Sequence, residues 1–287
     1  MFTYEKIKNW PFEDIIHTYQ SRDTILYALG IGLGEDNLDQ SELNFLYENS
    51  DNFSVLPTMA SVIGHSSDWL KNPATGINYP LVLHGEQNII WHDTIPTKGS
   101  IKVETKVIGV SDKGPIKGAL IYTQKTLTEA TSGLLLATTR STTIARGNGG
   151  YNGPSDPPFQ VNEVPKGPPD KKCDITINPR AAIIYRLSGD YNPLHISPSA
   201  AKVSGFNKPI IHGLCSFGVA GHVILKTCCS YETNRMKELG LRFSAPIFPG
   251  ETIRTEIWEN GEILYFRSIS LDRNKIVLDN GYARIQG

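Results

Sequence analysis

The sequence predicts an α+β protein in which an antiparallel sheet wraps one helix, and does so twice along the chain. Three observations lead there. Most of the chain reads as β-branched or aromatic alternation broken by turn signals. A single stretch combines helical spacing with small residues. A run rich in Gly, Pro and Asp, Gly147 to Lys172, divides the rest in two. Proline lacks the backbone donor and glycine lacks stiffness, so that run suits neither a helix nor a central strand. The chain is therefore expected to consist of residues 1–146, a linker over 147–172, and residues 173–287.

In the first half, Asn88 to His92 reads as a strand. The chain from His84 to Pro96 is too short for a strand-enclosed helix. Val103 to Ser111, Gly118 to Leu127 and Gly133 to Ile144 follow as strands, with the turn Asp112-Lys113-Gly114 between the first two. The sheet of this half is thus expected to lack its central helix. In the second half, Leu214, Phe217, Ala220 and Ile224 fall at helical spacing. Gly218, Ala220 and Gly221 share that segment. Glycine costs a helix roughly 1 kcal/mol, so close approach of a sheet explains them better than propensity. Thr252 to Trp258, Ile263 to Ser270 and Lys275 to Ile285 complete the strands, with the turn Glu259-Asn260-Gly261.

The halves share a weak repeat. Val82-Leu83-His84-Gly85 matches Ile210-Ile211-His212-Gly213, each after a proline (Pro80, Pro209). Pro96-Thr97-Lys98-Gly99 and Pro246-Ile247-Phe248-Pro249-Gly250 each open a strand-like run. The matching order of the two blocks argues for a repeat more than either block does.

Composition narrows the function. A chain of 287 residues with 39% hydrophobic content supports a sizeable core, and a net charge of −1 gives no footprint for nucleic acid. Cys173, Cys215, Cys228 and Cys229 show no metal or disulfide spacing, which favours a reducing compartment. No apolar run approaches the ~18 residues of a membrane span. Met1 to Phe12 lacks the blocks of a secretory signal, and Arg284-Ile285-Gln286-Gly287 is not a Ser-Lys-Leu type peroxisomal address. A soluble intracellular protein is expected.

The chemistry concentrates in Tyr185-Arg186-Leu187-Ser188-Gly189-Asp190-Tyr191-Asn192-Pro193-Leu194-His195. Gly189 and Pro193 exclude a simple helix, and Pro193 drives Asn192 toward extended geometry, so the segment should turn. A turn brings the Asp190 carboxylate and the His195 imidazole to one small volume, where the pair could hold a water and exchange protons with it. Residue types alone favour a plainer account, in which Asp190 and Asn192 cap a turn and His195 starts a helix. A metal is not expected, because the pair needs further ligands and none cluster nearby in the sequence.

The stretch strongly resembles the signature of the type 2 enoyl-CoA hydratases, the MaoC-like family. So do Gly205 to Cys215, His84-Gly85-Glu86-Gln87, Arg242-Phe243 and Pro249-Gly250. The resemblance runs through nearly the whole chain and looks closest to the hydratase part of the peroxisomal multifunctional β-oxidation enzyme. It implies a double hot dog fold, with the central helix reduced in the first repeat to leave room for an acyl chain. It also implies (R)-specific hydration of trans-2-enoyl-CoA, with Asp190 and His195 activating one water and Asn192 holding it or its neighbours. The Gly213 N–H would polarise the thioester carbonyl, and His84, Gly85, Lys113 and Phe243 would contact the acyl-CoA. Asn192 could equally be a turn residue, Lys113 an ordinary turn lysine, and Phe243 core. His17, His65, His92 and His222 carry no motif. No cofactor beyond the CoA of the substrate is expected, nor any nucleic-acid partner; a homodimer is expected, peroxisomal by family analogy if the source is eukaryotic and otherwise cytoplasmic. Two alternatives stay open: a hot-dog acyl-CoA thioesterase, against which the Asp-x-Asn-Pro-x-His signature argues, and a non-catalytic acyl-CoA binding module, which would not need the Asp190–His195 pair.

Overall fold

Ten strands form one antiparallel sheet in the computed structural model, which describes residues 1–35, 39–65, 67–157 and 162–286. They are β1 (Ile15–Tyr19), β2 (Val82–Trp91), β3 (Gly99–Asp112), β4 (Ala119–Glu129), β5 (Leu135–Ala145), β6 (Lys171–Thr176), β7 (Met236–Phe243), β8 (Thr252–Asn260), β9 (Ile263–Ser270) and β10 (Lys275–Ile285). Their order is β1-β3-β4-β5-β2-β7-β10-β9-β8-β6. Each half contributes five strands in the same internal order, and the halves join where β2 pairs with β7, Glu86 opposite Arg242.

The helix Gly213–Cys229 lies against this sheet with Leu214, Phe217, Ala220, Val223 and Ile224 buried. Its glycines admit chain from the first half as well as the sheet. A Cβ on Gly218 would stand 2.7 Å from Ile31 Cγ2, and one on Gly221 would stand 2.3 Å from Thr58 Cγ2 and 3.2 Å from Leu239. The small residues therefore serve a contact between halves that helical spacing could not reveal.

Among the described residues between β1 and β2 no helix of that length occurs. Val55, Leu56, Met59, Ala60, Val62 and Ile63, around a short 3₁₀ turn at Pro57–Ser61, join Ile89, Trp91, Ile101, Val103 and Leu127 in the main core. Trp91 donates its ring N–H to the Pro57 carbonyl at 2.9 Å. A second apolar cluster forms further along the same half, from Phe2, Ile7, Val107, Val110 and Ile121.

Two readings need correction. By sheet order β2 corresponds to β7, so His84-Gly85, inside a strand, is not the counterpart of His212-Gly213, which opens a helix. The proline blocks do correspond, since they precede β3 and β8. The linker run also overshoots, because Lys171 and Lys172 already belong to β6. The four cysteines are free thiols.

Candidate active site

The site grows from the turn after Tyr185. A 3₁₀ turn at Arg186–Ser188 ends at Gly189, whose φ of 114° reverses the chain where an L side chain would be strained. Asp190 Oδ1 then accepts the Asn192 N–H at 3.1 Å, and Asn192 Oδ1 accepts the Leu194 N–H at 3.1 Å. Two successive side-chain-to-backbone bonds thus fold the segment, and Asn192 caps the 3₁₀ turn Pro193–His195. His195 closes that turn; the next helix begins only at Pro198. The capping account of Asp190 and Asn192 is thus satisfied, together with the proximity that chemistry requires.

His195 is buried, and its Nδ1 lies 2.9 Å from the Ile210 carbonyl. A carbonyl can only accept, so that bond puts the proton on Nδ1 and leaves Nε2 as a free base. Burial lowers the His195 pKa, opposed by the Ile210 bond and by the Asp190 charge. His212 stacks on it with ring centroids 3.8 Å apart and planes at 29°. It gives its Nε2–H to the Asp190 carbonyl at 3.1 Å, while its buried Nδ1 has no hydrogen-bond partner among the described residues. Burial, then the neighbouring His195, pushes the His212 pKa down to about 4. The Tyr185 ring backs His212 at 5.1 Å.

Ligand-type atoms of Asp190, His195 and His212 all lie within 4.8 Å of one another, so a third metal-capable group does cluster here, contrary to the sequence reading. Its geometry does not suit an ion. Each imidazole already gives one nitrogen to a carbonyl, and rings stacked 3.8 Å apart cannot both aim in-plane lone pairs at one ion at bond lengths near 2.0–2.1 Å.

Gly213 begins the central helix, where the first N–H groups have no intrahelical acceptor and the helix dipole favours negative charge. A Cβ there would meet nothing nearer than the Phe243 ring at 3.7 Å. Phe243 in turn packs on His84, with centroids 4.7 Å apart. His84 bonds the Glu86 carbonyl at 3.1 Å, and burial pushes its pKa down to about 4. Gly85 sits at the bulge between His84 and Glu86, and a Cβ there would lie 2.9 Å from Ile144. Packing alone explains that glycine.

The Asp190 turn opens into a cavity of about 410 Å³ lined by His65, Ser67, Asp68, Lys71, Tyr79 and residues Gly189 to Pro193. Lys113 does not line it. It stands exposed at the β3–β4 hairpin, held by the Asp112 carboxylate, which accepts N–H groups of Gly114 and Gly150 at 2.8 and 2.7 Å. Sequence reasoning passed over two residues of this site. His212 sat inside a quoted block but served only to mark Gly213. His65 has no motif, and only the fold brings it to the cavity wall.

Residues 17–147 match the MFE-2 hydratase 2 N-terminal domain, and residues 160–281 match the MaoC like domain. The peroxisomal enoyl-CoA hydratase 2 of Arabidopsis thaliana is 38% identical over 285 residues, which cover 94% of this chain and 91% of that one. A crystallised MaoC-like dehydratase of Phytophthora capsici superposes with a TM-score of 0.87 at 35% identity, covering 98% of both chains. A Mycobacterium tuberculosis protein described as a double hotdog fold shares the architecture at 13% identity, with a TM-score of 0.56 over 100% of this chain and 99% of that one.

Proposed function

The chain belongs to the MaoC-like hydratase/dehydratase family, and from that membership and the site geometry we propose that it hydrates trans-2-enoyl-CoA to (3R)-3-hydroxyacyl-CoA, as in fatty-acid β-oxidation. It is an enoyl-CoA hydratase with a double hot dog fold. The observation that carries the mechanism is that His195, whose Nδ1 is held by the Ile210 carbonyl, brings a ring nitrogen within 4.8 Å of the Asp190 carboxylate beside a cavity that admits water.

In this reading Asp190 and His195 orient one water and take its proton as its oxygen bonds the β-carbon. The same pair returns a proton to the α-carbon, so atoms and charge balance and both new bonds form on one face. The Gly213 N–H, at the positive end of the helix, stabilises the thioester oxygen as negative charge develops there. Asn192 fixes the turn through its Oδ1 and stands beside the water site. His212 is a positioning residue: it holds the Asp190 carbonyl and braces the His195 ring. His84 and Phe243 wall the substrate, Gly85 lets the strand bulge beside it, and Lys113 meets the CoA end. CoA arrives as part of the substrate; no separate cofactor or metal enters the reaction.

No described helix is long and apolar enough to cross a membrane. We propose the peroxisome as the compartment in a eukaryotic source, supported by the name of the Arabidopsis relative, and a homodimer as the working form. Sedimentation of the full chain tests the dimer. Loss of enoyl-thioester ultraviolet absorbance with crotonyl-CoA, together with the chirality of the product, tests the reaction. An S product would sink the one-face mechanism, and release of free CoA without hydration would favour a thioesterase.

A further inference from the structure

The inner face of the N-terminal sheet changes character partway along. At one level Leu127 pairs with Val103 and Ala137, all in the main core. Two residues on, Lys125 pairs with Thr105 and Thr139, and two further, Thr123 pairs with Val107 and Ser141. Thr123 and Ser141 hydrogen-bond each other at 3.0 Å, and Thr139 is fully covered. Val107, opposite Thr123, already belongs to the second apolar cluster, and Val110 and Ile121 continue it beyond this level. A polar belt centred on a lysine thus separates two apolar clusters on one sheet face. Sealing those clusters together would need only apolar residues, so the belt calls for an occupant.

The belt adjoins the site. Lys125 and Asp190 both act electrostatically on His65 and on His84, and for His65 the lysine is the strongest neighbouring charge. His65 lines the cavity, and Lys125 reaches the same segment through the Ser61 and Ile63 carbonyls just before it. Among the described residues its ammonium donates to the Ser61 and Ile63 carbonyls, at 3.5 and 3.3 Å, both long for a hydrogen bond. No carboxylate among the described residues forms an ion pair with it. Lys125 is half-buried; holding a cation there without a counter-charge is costly, and this desolvation pushes its pKa down to about 8. Capping two carbonyls is a task that a neutral donor would perform at lower cost.

We propose that Lys125 receives the far end of the acyl group, and that this end carries a carboxylate: the preferred substrate is a short enoyl-CoA with an anionic terminus. The proposal rests on the preceding reading that the enoyl thioester sits at Asp190, His195 and Gly213. With the CoA leaving through the cavity mouth, the acyl chain runs inward past His65 and His84 toward the belt.

The test compares kcat/KM of the full-length protein for trans-2-hexenoyl-CoA and for the mono-CoA thioester of trans-2-hexenedioic acid, equal in length and differing in the terminal carboxylate. Wild type should favour the diacid thioester by about tenfold or more, the worth of one charge-assisted hydrogen bond. Lys125→Met should abolish or invert that ratio while still hydrating hexenoyl-CoA. Should Lys125→Met not fold, wild type alone decides: the preference should fade as pH rises through about 8, where the ammonium is lost. The titratable groups facing Lys125 are His17, His65 and His84, all with pKa values lowered and so neutral throughout that range. Equal use of the two substrates by wild type would overturn the proposal, as would an equal loss on both in Lys125→Met, which marks a carbonyl cap. Hydration of neither substrate would instead refute the hydratase reading itself.

Discussion

Two glycines on the central helix should respond in opposite ways to the same substitution. Gly213 and Gly221 both lie in Gly213–Cys229, and propensity alone predicts that alanine stabilises each by up to about 1 kcal/mol. At Gly213 the new methyl meets only Phe243, at 3.7–3.8 Å, which is ordinary contact. Gly213→Ala should therefore gain about 0.4–1 kcal/mol, chiefly by restricting the unfolded chain. At Gly221 the methyl lands 2.3 Å from Thr58 Cγ2 and 3.2 Å from Leu239, both buried. Overpacking of about 1–3 kcal/mol there outweighs the propensity gain, so Gly221→Ala should lose about 1–2 kcal/mol. Thermal unfolding reads the difference, at about 2–4 °C per kcal/mol for chains approaching this size. Activity should order the variants the other way. The Gly213 methyl occupies the approach between the helix N–H and Phe243, and a displacement near 1 Å at a reacting centre costs about 10²-fold. Gly221→Ala, remote from that approach, should keep most of its kcat/KM on crotonyl-CoA below its melting range. A Gly213→Ala variant as active as wild type would refute the placement of the thioester at that N–H. A Gly221→Ala variant more stable than wild type would refute the packing argument.

Asp190→Asn keeps the oxygen that accepts the Asn192 N–H, so it should fold normally while kcat falls by about 10²–10⁴, and His195→Gln should match it; near wild-type turnover in either removes it from the proton path. His212→Ala should lower kcat by about tenfold or more, by the worth of a hydrogen bond and a ring contact, and His212→Gln, which restores a donor for the Asp190 carbonyl, should recover part of that. Equal kcat in both variants would deny His212 its positioning role. Burial lowers the His195 pKa, so the acid limb of kcat/KM should fall below the ordinary histidine value of about 6.5, and a limb above it would contradict a buried neutral base. His84, His212 and His222 have pKa values pushed down to about 4 and His65 to about 3, so the fold binds fewer protons than the unfolded chain. Stability should be level above about pH 6.5 and decline as pH falls from there toward 4; melting temperatures unchanged across that interval would mean these rings are not buried neutral.

The strands were legible because alternation survives in a single sequence. Ile263–Ser270 and Lys275–Ile285 match their predicted bounds, and the central helix adds only its ends. The region before Val82 was not legible. Its short helices and the 3₁₀ turn at Pro57–Ser61 have no period of their own: the turn packs on β2 and β5, and the helix Ser21–Gly30 packs on Ala181–Tyr185 of the other half. The repeat was half legible, since the proline blocks mark real counterparts whereas the His-Gly pairs match in letters and differ in topology.

By itself, the sequence determined the turn that carries Asp190 and His195, because Gly189, Asn192 and Pro193 act on their immediate neighbours. It also determined the helix start at Gly213. Only the tertiary structure decided that His212 stacks on His195, that His65 walls the cavity, and that Lys125 lies between Thr105 and Thr139. Those contacts join residues far apart in the chain, through sheet pairing and burial, and no local pattern encodes a distance of that kind.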